Sequence, residues 1–267
     1  MHRAGVVHSV ALESSSWLAG ALDEEVGDAA FASVLAPAEI DELAQIRHDR
    51  RRLQAKAARC AAKLLWLRQR GELAISLPQV ADVRHIVRLL RGLLPRPRNV
   101  EIRYRRYHSA DCCPVLFDRE AVWARPHVSL AHCGRFVFAA IGGGPIGCDV
   151  EEIATAQLPL LERTCSPSER LWVQRDMSSS KAACLAATRL WTVKEAWYKQ
   201  HSAAHLGSHD PFHPQAIEVE LLHAADKAQI RSAFPRFTGW VDVRQFVHKT
   251  MSSPCLQWRT CRDACCC

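Results

Sequence analysis

Apolar residues recur at helical spacing in three stretches of the chain. The first predicts one continuous helix that begins at Pro37, where acidic residues follow and suit the positive end of a helix, and that ends before Gly71. A shorter helix is predicted between Ala81 and Leu94, where the proline-rich "GLLPRPR" ends it. A second long helix is predicted from about Lys181 to His201.

Between the long helices the pattern changes to short alternating or apolar runs, which predict strands. "VEIRYRRY", "PVLF" and "RPHVSLAH" are three of them. The run "RFVFAAIGGGPIGCDVEEI" predicts a β-hairpin, with Phe136 to Ile141 on one side of a Gly-Gly-Gly-Pro turn and Ile146 to Glu151 on the other.

The second half repeats this order of elements. "CSPSER" predicts a helix start, with Ser166 as cap, Pro167 at the first helical position and Glu169 completing a capping box. "AIEVELL" and "GWVDVRQF" are predicted strands after the second long helix. The order helix, strands, helix, strands therefore predicts an α+β protein of two related halves.

Composition places the chain among soluble globular proteins of one large or two ordinary domains. It has 267 residues, of which 48% are hydrophobic and 24% charged. The formal charge of +7 favours an acidic partner, which could be nucleic acid, an anionic membrane, a phosphate-rich small molecule or an acidic protein. No apolar run is long enough to span a bilayer and no export signal is recognised, so a cytoplasmic location is expected.

The 12 cysteines are scattered through apolar segments, which favours free thiols in a reducing compartment over a disulfide scaffold. No pair of CxxC motifs is present, so a structural zinc site has little support. Ala264 stands at the fourth position from the end, where a prenylation signal requires cysteine.

The first long helix is strongly basic. From Gln45 to Arg70 there are nine Lys or Arg residues and one Asp. A solvated face explains any single arginine, but as a cluster these residues could form a phosphate-binding surface.

The stretch "LWTVKEAWYK" places Trp191, Glu195 and Lys199 in one row of the second long helix. Taken alone, this row is most simply interpreted as a solvated Glu–Lys pair. If Glu195 is instead a metal ligand, Trp191 and Trp197 would fix the helix against the core so that Glu195 is held at ligand distance. The role of Lys194 is the least certain in this stretch.

The segment "GCDVEE" offers a second acidic position. On a strand, Asp149 and Glu151 point to the same face, where they are either solvated or share a hard cation such as Mg²⁺. If the second long helix packs beside this strand, Glu195 adds a third carboxylate and Lys199 an ammonium. Three carboxylates, a metal and a lysine form an arrangement suited to phosphoryl transfer.

These two segments together resemble the paired signature of the 4′-phosphopantetheinyl transferases, of the large monomeric type that activates surfactin synthetase. Gly147, Asp149 and Glu151 match its G-x-D-x-E motif. Its W-(S/T)-x-K-E-A-x-x-K motif is matched by Trp191, Thr192, Lys194, Glu195, Ala196 and Lys199. "VSLAHCGR" is similar to the family's N-x-S-H-S stretch, and the resemblance covers roughly Leu35 to His201.

The resemblance implies an activity and a fold. Such enzymes transfer the phosphopantetheine arm of coenzyme A to a serine of an apo acyl or peptidyl carrier protein and release 3′,5′-ADP. They are monomers built as a pseudo-dimer of two similar halves, each a small sheet packed with a long helix, with the active site in the cleft between them. Residues 1–144 would form the half with the basic helix and the coenzyme A contacts, and residues 145–267 the half with the metal site and the catalytic helix.

The resemblance also implies a role for each matched residue. Asp149, Glu151 and Glu195 would bind Mg²⁺ at the pyrophosphate of coenzyme A, and Glu195 is also the candidate base. Lys199 would neutralise the pyrophosphate or the leaving group.

Coenzyme A itself would be held by residues of the first half. His132 would meet its 3′-phosphate, and Arg51, Arg52 and Lys56 are the counterparts of the family's basic residues.

Two departures from the family pattern lower the affinity that is expected for coenzyme A. Ala131 removes a hydroxyl that precedes His132, and Cys113 stands where the family often has a lysine. The C-terminal strand that the family would lead one to expect is predicted to be replaced by a cysteine-rich tail.

Three functions remain open from the sequence. The leading one is a phosphopantetheinyl transferase for a polyketide, fatty-acid or non-ribosomal peptide carrier protein, whose acidic surface a basic enzyme would attract. A degenerate homologue that binds coenzyme A or a carrier protein without turnover is the alternative. A nucleic-acid binder is suggested by the basic helix and "YRRYH", although no recognised module supports it.

Overall fold

The computed structural model describes most of the chain, in the ranges 16–22, 27–74, 80–107, 111–121, 126–152, 158–176, 179–204, 213–221, 227–232, 237–243, 246–250 and 253–262. The chain divides into two compact units, Met1–Ile146 and Gly147–Cys267.

The described part of the first unit contains four α-helices and six strands. The helices are α1 (Asp28–Ala32), α2 (Pro37–Ala44), α3 (Asp49–Gln69) and α4 (Val83–Gly92). The strands are β1 (Ser16–Ala21), β2 (Val80–Asp82), β3 (Val100–Tyr107), β4 (Asp111–Asp118), β5 (His127–Cys133) and β6 (Phe136–Gly142). They form one sheet in the order β2-β1-β6-β5-β4-β3, in which only β2 runs parallel to its neighbour.

The second unit contains three helices and six strands in its described ranges. The helices are α5 (Leu158–Thr164), α6 (Pro167–Asp176) and α7 (Ser180–Ala204). The strands are β7 (Gly147–Glu152), β8 (Ile217–Leu221), β9 (Lys227–Ser232), β10 (Phe237–Val243), β11 (Phe246–Thr250) and β12 (Ser253–Arg262). Strand β12 joins β7 to the series β10-β9-β8 and also pairs with β11.

Apart from β2 and β11, the two sheets share one strand order. The first runs β1-β6-β5-β4-β3 and the second β7-β12-β10-β9-β8, so in each unit the first strand pairs antiparallel with the last. In both units the long helix follows the first strand and precedes all the remaining strands. The mixed helix and sheet content is compatible with the predicted α+β class.

Each unit buries its own apolar core. In the first unit α3 contributes Ala57, Ala61 and Leu64, each with no exposed surface. In the second unit α7 contributes Leu190 and Val193 in the same way. None of the helices in the described ranges is both long and apolar enough to cross a bilayer.

The predicted continuous helix from Pro37 is wrong, because the chain breaks it into α2 and α3. Helix α2 ends at Ala44, and the Arg52 guanidinium donates a hydrogen bond of 2.8 Å to the Ile46 carbonyl in the connecting turn. The polar residues at this break fit an exposed helix face as well as a turn, so periodicity alone could not find it. The predicted end at Gly71 is confirmed: its φ is 76°, and Glu72 N–H donates to the Leu67 carbonyl across the helix end.

The predicted hairpin around the Gly-Gly-Gly-Pro turn is also wrong. Strand β6 is buried along its whole length and uses its two edges for β1 and β5, while β7 pairs with β12. The glycine-rich segment therefore connects two sheets, and it lies just before the boundary between the units.

Two further predictions concern the second unit. The capping box of α6 is confirmed, because Ser166 N–H donates to the Glu169 carboxylate at 2.8 Å and Glu169 N–H donates to Ser166 Oγ at 3.3 Å. The predicted loss of the C-terminal strand is wrong, since β12 is ten residues long and pairs with β7.

Gly147 allows α7 to pack directly against the start of β7. A Cβ atom at this position would lie 1.8 Å from the Ala196 carbonyl oxygen and 2.7 Å from the Gln200 nitrogen, both of which belong to the helix backbone. Backbone atoms cannot give way as a flexible side chain can. The glycine therefore fixes how closely the strand and the helix approach each other.

We expect Gly147→Ala to lower the free energy of unfolding by about 3 kcal/mol, because the added methyl group forces α7 away from β7. Urea denaturation measures this loss. Gly144→Ala is the matched control, since a Cβ atom there meets nothing within 4 Å, and its effect should stay below about 1 kcal/mol. Equal stability of the two variants would contradict the close approach.

Candidate functional site

Three carboxylates meet where β7 and α7 pack together. Asp149 and Glu151 project from the same face of β7, and Glu195 projects from α7. One carboxylate oxygen from each lies within 4.8 Å of the other two. The period of the strand and the closeness permitted by Gly147 thus bring together residues that are far apart in sequence.

Asp149 is the most buried member, with 3% of its surface exposed. Burial raises the pKa of its carboxyl well above the ordinary value; the Lys199 ammonium opposes this rise, while Glu195 and Glu151 add to it. One of its oxygens, Oδ2, is buried and has no hydrogen-bond partner among the described residues. Burying such an oxygen costs folding free energy unless a hydrogen-bond donor or a cation binds it.

Lys199 supplies the positive charge that the site contains. Its Nζ lies 2.9 Å from Asp149 Oδ1 and 3.0 Å from Glu195 Oε1. Burial alone would lower the pKa of Lys199, but Asp149 and Glu195 outweigh it and raise the pKa above its ordinary value. The ammonium therefore stays charged, and it compensates one of the three carboxylates.

Trp191 has a role that the sequence did not reveal. It is only partly buried, and its indole Nε1–H donates a hydrogen bond of 2.9 Å to Glu151 Oε1. Its position in the same helical row as Glu195 was the available signal, because that row faces β7. Trp197, in contrast, is 2% exposed, lies in the core and stacks on His201.

The donor set fits a hard divalent cation. Mg²⁺ takes oxygen ligands, keeps several waters and is commonly held by a few carboxylates together with substrate phosphates. The carboxylates of Asp149, Glu151 and Glu195 would hold it, and the unpartnered Oδ2 of Asp149 is the oxygen most in need of such a partner.

A second feature lies within the first unit, where basic side chains surround a cavity of about 510 Å³. Its lining consists of Leu22, Gly27, Asp28, Asp49, Arg50, Arg52, Leu53, Lys56, Gly134 and Arg135. Lys56 pairs with Asp28 at 2.6 Å, and this hydrogen bond lowers the pKa of Asp28; Arg52 pairs with Asp49. Four cationic side chains against two carboxylates leave the cavity able to attract an anion.

The predicted coenzyme A residues are distributed unevenly around this cavity. Arg52 and Lys56 line it, whereas Arg51 is exposed and is not part of the lining. Arg50 and Arg135 line it too, although neither was among the predicted coenzyme A residues. His132 lies partly buried on β5, outside the cavity lining.

Two of the nine basic residues do not belong to any surface. Arg59 is 1% exposed and donates to the Glu42 carboxylate and the Ile102 carbonyl. Lys63 has no exposed surface and pairs with Glu39 at 2.5 Å. The prediction of a single basic face on the first long helix is therefore corrected: part of the charge is structural.

Comparison with known proteins agrees with the geometry of the second unit. Residues 145–248 match the model of the 4′-phosphopantetheinyl transferase superfamily, and this segment contains all three carboxylates and Lys199. Enterobactin synthase component D of Escherichia coli O157:H7 is 29% identical over 144 residues, which are 52% of this chain and 64% of that protein. The match therefore spans a little less than two thirds of the relative's length.

Shorter matches carry the name of the family. The 4′-phosphopantetheinyl transferase psf-1 of Bacillus pumilus is 36% identical over 75 residues, 27% of this chain and 30% of that protein. The 4′-phosphopantetheinyl transferase of Bacillus subtilis is 28% identical over 74 residues, 28% of this chain and 32% of that protein. Each match covers only part of the chain, and together they show that this chain is similar to 4′-phosphopantetheinyl transferases.

We expect Mg²⁺ to raise the melting temperature of the protein by several degrees, because a ligand present at about 100 times its Kd stabilises the folded state by about 2.7 kcal/mol. Differential scanning fluorimetry with and without Mg²⁺ measures the shift. Glu195→Gln should abolish most of it, whereas Glu162→Gln should not, since Glu162 is an exposed residue of α5. A shift of the same size in both variants would contradict the assignment.

Proposed function

We propose that this protein transfers the 4′-phosphopantetheine arm of coenzyme A to a serine of an apo acyl or peptidyl carrier protein, in an Mg²⁺-dependent reaction that leaves 3′,5′-ADP. The observation that carries the proposal is the cluster of Asp149, Glu151 and Glu195 beside Lys199, within the segment that matches the family. Such a cluster suits the binding and cleavage of a pyrophosphate.

The resemblance to the large monomeric type extends the proposal to the fold and the location. The common strand order of the two sheets supports two similar halves, and by analogy they would form a pseudo-dimer with the active site in the cleft between them. A cytoplasmic monomer is part of the same proposal.

In the proposed reaction the serine oxygen of the carrier attacks the phosphorus atom that bears the pantetheine arm. A new P–O bond forms, the phosphoanhydride bond breaks, and 3′,5′-ADP leaves with the electron pair. Glu195 accepts the serine proton, since its carboxylate is partly exposed and reachable, with 27% of the side chain exposed. When bound, Mg²⁺ supplies positive charge that stabilises the charge developing on the leaving group.

Lys199 would assist the departure of 3′,5′-ADP. Its ammonium lies at hydrogen-bond distance from Asp149 and Glu195, and 26% of its side chain is exposed. With Mg²⁺ held by Asp149, Glu151 and Glu195, the same ammonium would be available to a phosphate oxygen. The hydrogen bond from the Trp191 indole to Glu151 keeps the Glu151 carboxylate oriented toward the cluster.

The first unit would hold the nucleotide end of coenzyme A. Arg52, Lys56 and Arg50 line the cavity and are suited to phosphate, because charge-assisted hydrogen bonds to phosphate are among the strongest available. Arg51 and His132 remain candidates from the resemblance, with His132 at the 3′-phosphate. The natural carrier would be a polyketide, fatty-acid or non-ribosomal peptide protein with an acidic surface.

Mass spectrometry of an apo carrier protein incubated with the enzyme, coenzyme A and Mg²⁺ tests the proposal. We expect a mass gain equal to the phosphopantetheine arm. Glu195→Gln should reduce kcat by about 10²- to 10⁴-fold, because the proton acceptor and a metal ligand are lost together, while Glu162→Gln should retain activity.

No gain in carrier mass across acyl, peptidyl and polyketide carriers would contradict the transfer. Binding of coenzyme A without any transfer would instead support the alternative of a homologue that binds without turnover.

We expect Arg52→Gln and Lys56→Gln each to raise the KM for coenzyme A about tenfold and to change kcat little, since each removes one charged phosphate contact. Steady-state kinetics of carrier modification separates the two constants. Arg88→Gln is the charge-matched control, because Arg88 is exposed on α4 and is not part of the cavity lining. An unchanged KM in the cavity variants would place coenzyme A elsewhere.

A further inference from the structure

Lys194 stands next to Glu195 in the sequence but points away from the carboxylate cluster. Adjacent residues of a helix are separated by about 100° around its axis, so the two side chains leave α7 in different directions. Lys194 has no exposed surface, and its Nζ donates to Glu169 Oε2 at 2.5 Å and to the carbonyls of Thr164 and Pro214 at 2.8 Å each. An ammonium has three hydrogens, and all three are used.

Glu169 completes the arrangement from the other side. Its carboxylate accepts the N–H groups of Ser166 and Val219, both at 2.8 Å. Burial raises the pKa of Glu169, and the Lys194 ammonium and these N–H groups oppose the rise. We call Lys194 and Glu169 the second-unit clamp; it ties α7 to the end of α5, the start of α6 and the approach to β8.

The first unit contains the same arrangement. Lys63 of α3 donates to Glu39 Oε2 at 2.5 Å and to the carbonyls of Val34 and Pro97 at 3.1 and 3.0 Å. Glu39 in turn accepts the N–H groups of Ala36 at 2.8 Å and of Ile102 at 3.0 Å. We call Lys63 and Glu39 the first-unit clamp.

The partners of the two clamps occupy corresponding positions. Each glutamate is the third residue of its helix and accepts the N–H of its own helix cap, Ala36 or Ser166. One lysine-bound carbonyl lies two residues before that cap, and the other belongs to a proline in the 3₁₀ turn before a strand, Pro97 or Pro214.

What differs between the units is the chemistry beside each clamp. Lys63 is followed by Leu64, which is fully buried in the core, where Lys194 is followed by Glu195. The position of Lys199 is taken by Arg68, which is exposed at the end of α3. A similar clamp thus forms in the first unit, where the described residues contain no such carboxylate cluster. The clamp therefore has a structural role, and contact with a substrate phosphate is not what requires the lysine.

We propose that the second-unit clamp is the positioning device of the metal site: by fixing the rotation and the height of α7, Lys194 holds Glu195 at ligand distance from Asp149 and Glu151. This rests on the proposed function for its biological meaning. Lys194 acts through Glu195 and does not touch substrate. Lys194 and Glu195 are adjacent in the sequence but lie on two faces of α7, where one positions the helix and the other would bind the metal.

The direct test compares two matched double variants, Lys194→Met with Glu169→Gln, and Lys63→Met with Glu39→Gln. Each exchange removes both buried charges while keeping the approximate side-chain volume, so no uncompensated charge is left inside. We expect both proteins to lose stability in urea denaturation. Only the second-unit variant should bind Mg²⁺ about tenfold more weakly by isothermal titration calorimetry and lose kcat, with the KM for coenzyme A changed less.

Three results would overturn the proposal. One is wild-type Mg²⁺ affinity in the folded second-unit variant, and another is an equal loss of affinity in both variants, which would indicate a global effect. The third is a raised KM for coenzyme A with unchanged Mg²⁺ affinity, which would make Lys194 a phosphate ligand.

Glu169→Gln alone serves if the second-unit double variant does not fold, because Lys194 then keeps its two carbonyl partners. We expect about threefold weaker Mg²⁺ binding from it, and unchanged binding would overturn the proposal. If the wild-type protein binds Mg²⁺ but transfers nothing, the proposed function is contradicted and the clamp proposal is not. The clamp is tested by Mg²⁺ affinity, which does not depend on transfer.

Discussion

The structure of the second unit depends on keeping the Asp149 carboxylate out of water within reach of two other carboxylates. A buried carboxylate is costly, and neighbouring negative charges add to the cost. Lys199 offsets one charge, and it reaches one oxygen each of Asp149 and Glu195. With all three carboxylates ionised, two negative charges remain in excess, and this is the charge that one divalent cation neutralises.

Such a cluster persists only if the interactions that hold its strand and helix together outweigh the repulsion between the carboxylates. Gly147 permits backbone contact between β7 and α7, because any Cβ there would overlap the Ala196 carbonyl. The second-unit clamp anchors the opposite side of α7 through Lys194. The apolar core, with Leu190 and Trp197, supplies the remaining packing. Gly147 and Lys194 of the two sequence motifs are thus explained by geometry, whereas the proposed chemistry rests on the acidic residues and Lys199.

Local patterns predicted most helices and strands, since caps, glycine stops and alternation are encoded in neighbouring residues. The capping box of α6 and the stop at Gly71 are examples. Partners of strands could not be predicted in this way. The Gly-Gly-Gly-Pro segment favours a hairpin locally, but β6 finds β1 and β5, and β7 finds β12. Such pairings depend on tertiary contacts between distant segments.

The candidate site shows the same division. Strand and helix periods predicted that Asp149 and Glu151 share a face and that Trp191, Glu195 and Lys199 share a row, and the structure has both arrangements. The proximity of strand and helix came only from a resemblance to a family, because spacing in the sequence says nothing about distance in space. The clamps could not be predicted from the sequence for the same reason, because each is assembled from four separated segments.

The most direct test of a metal held by these three carboxylates is anomalous X-ray diffraction from crystals grown with Mn²⁺, which takes the same kind of oxygen ligands as Mg²⁺. The account predicts one strong anomalous peak within about 2.0–2.4 Å of oxygens of Asp149, Glu151 and Glu195, with Lys199 displaced from Asp149. A well-ordered cluster that shows no peak, with Lys199 still bound to Asp149 at saturating Mn²⁺, would contradict it.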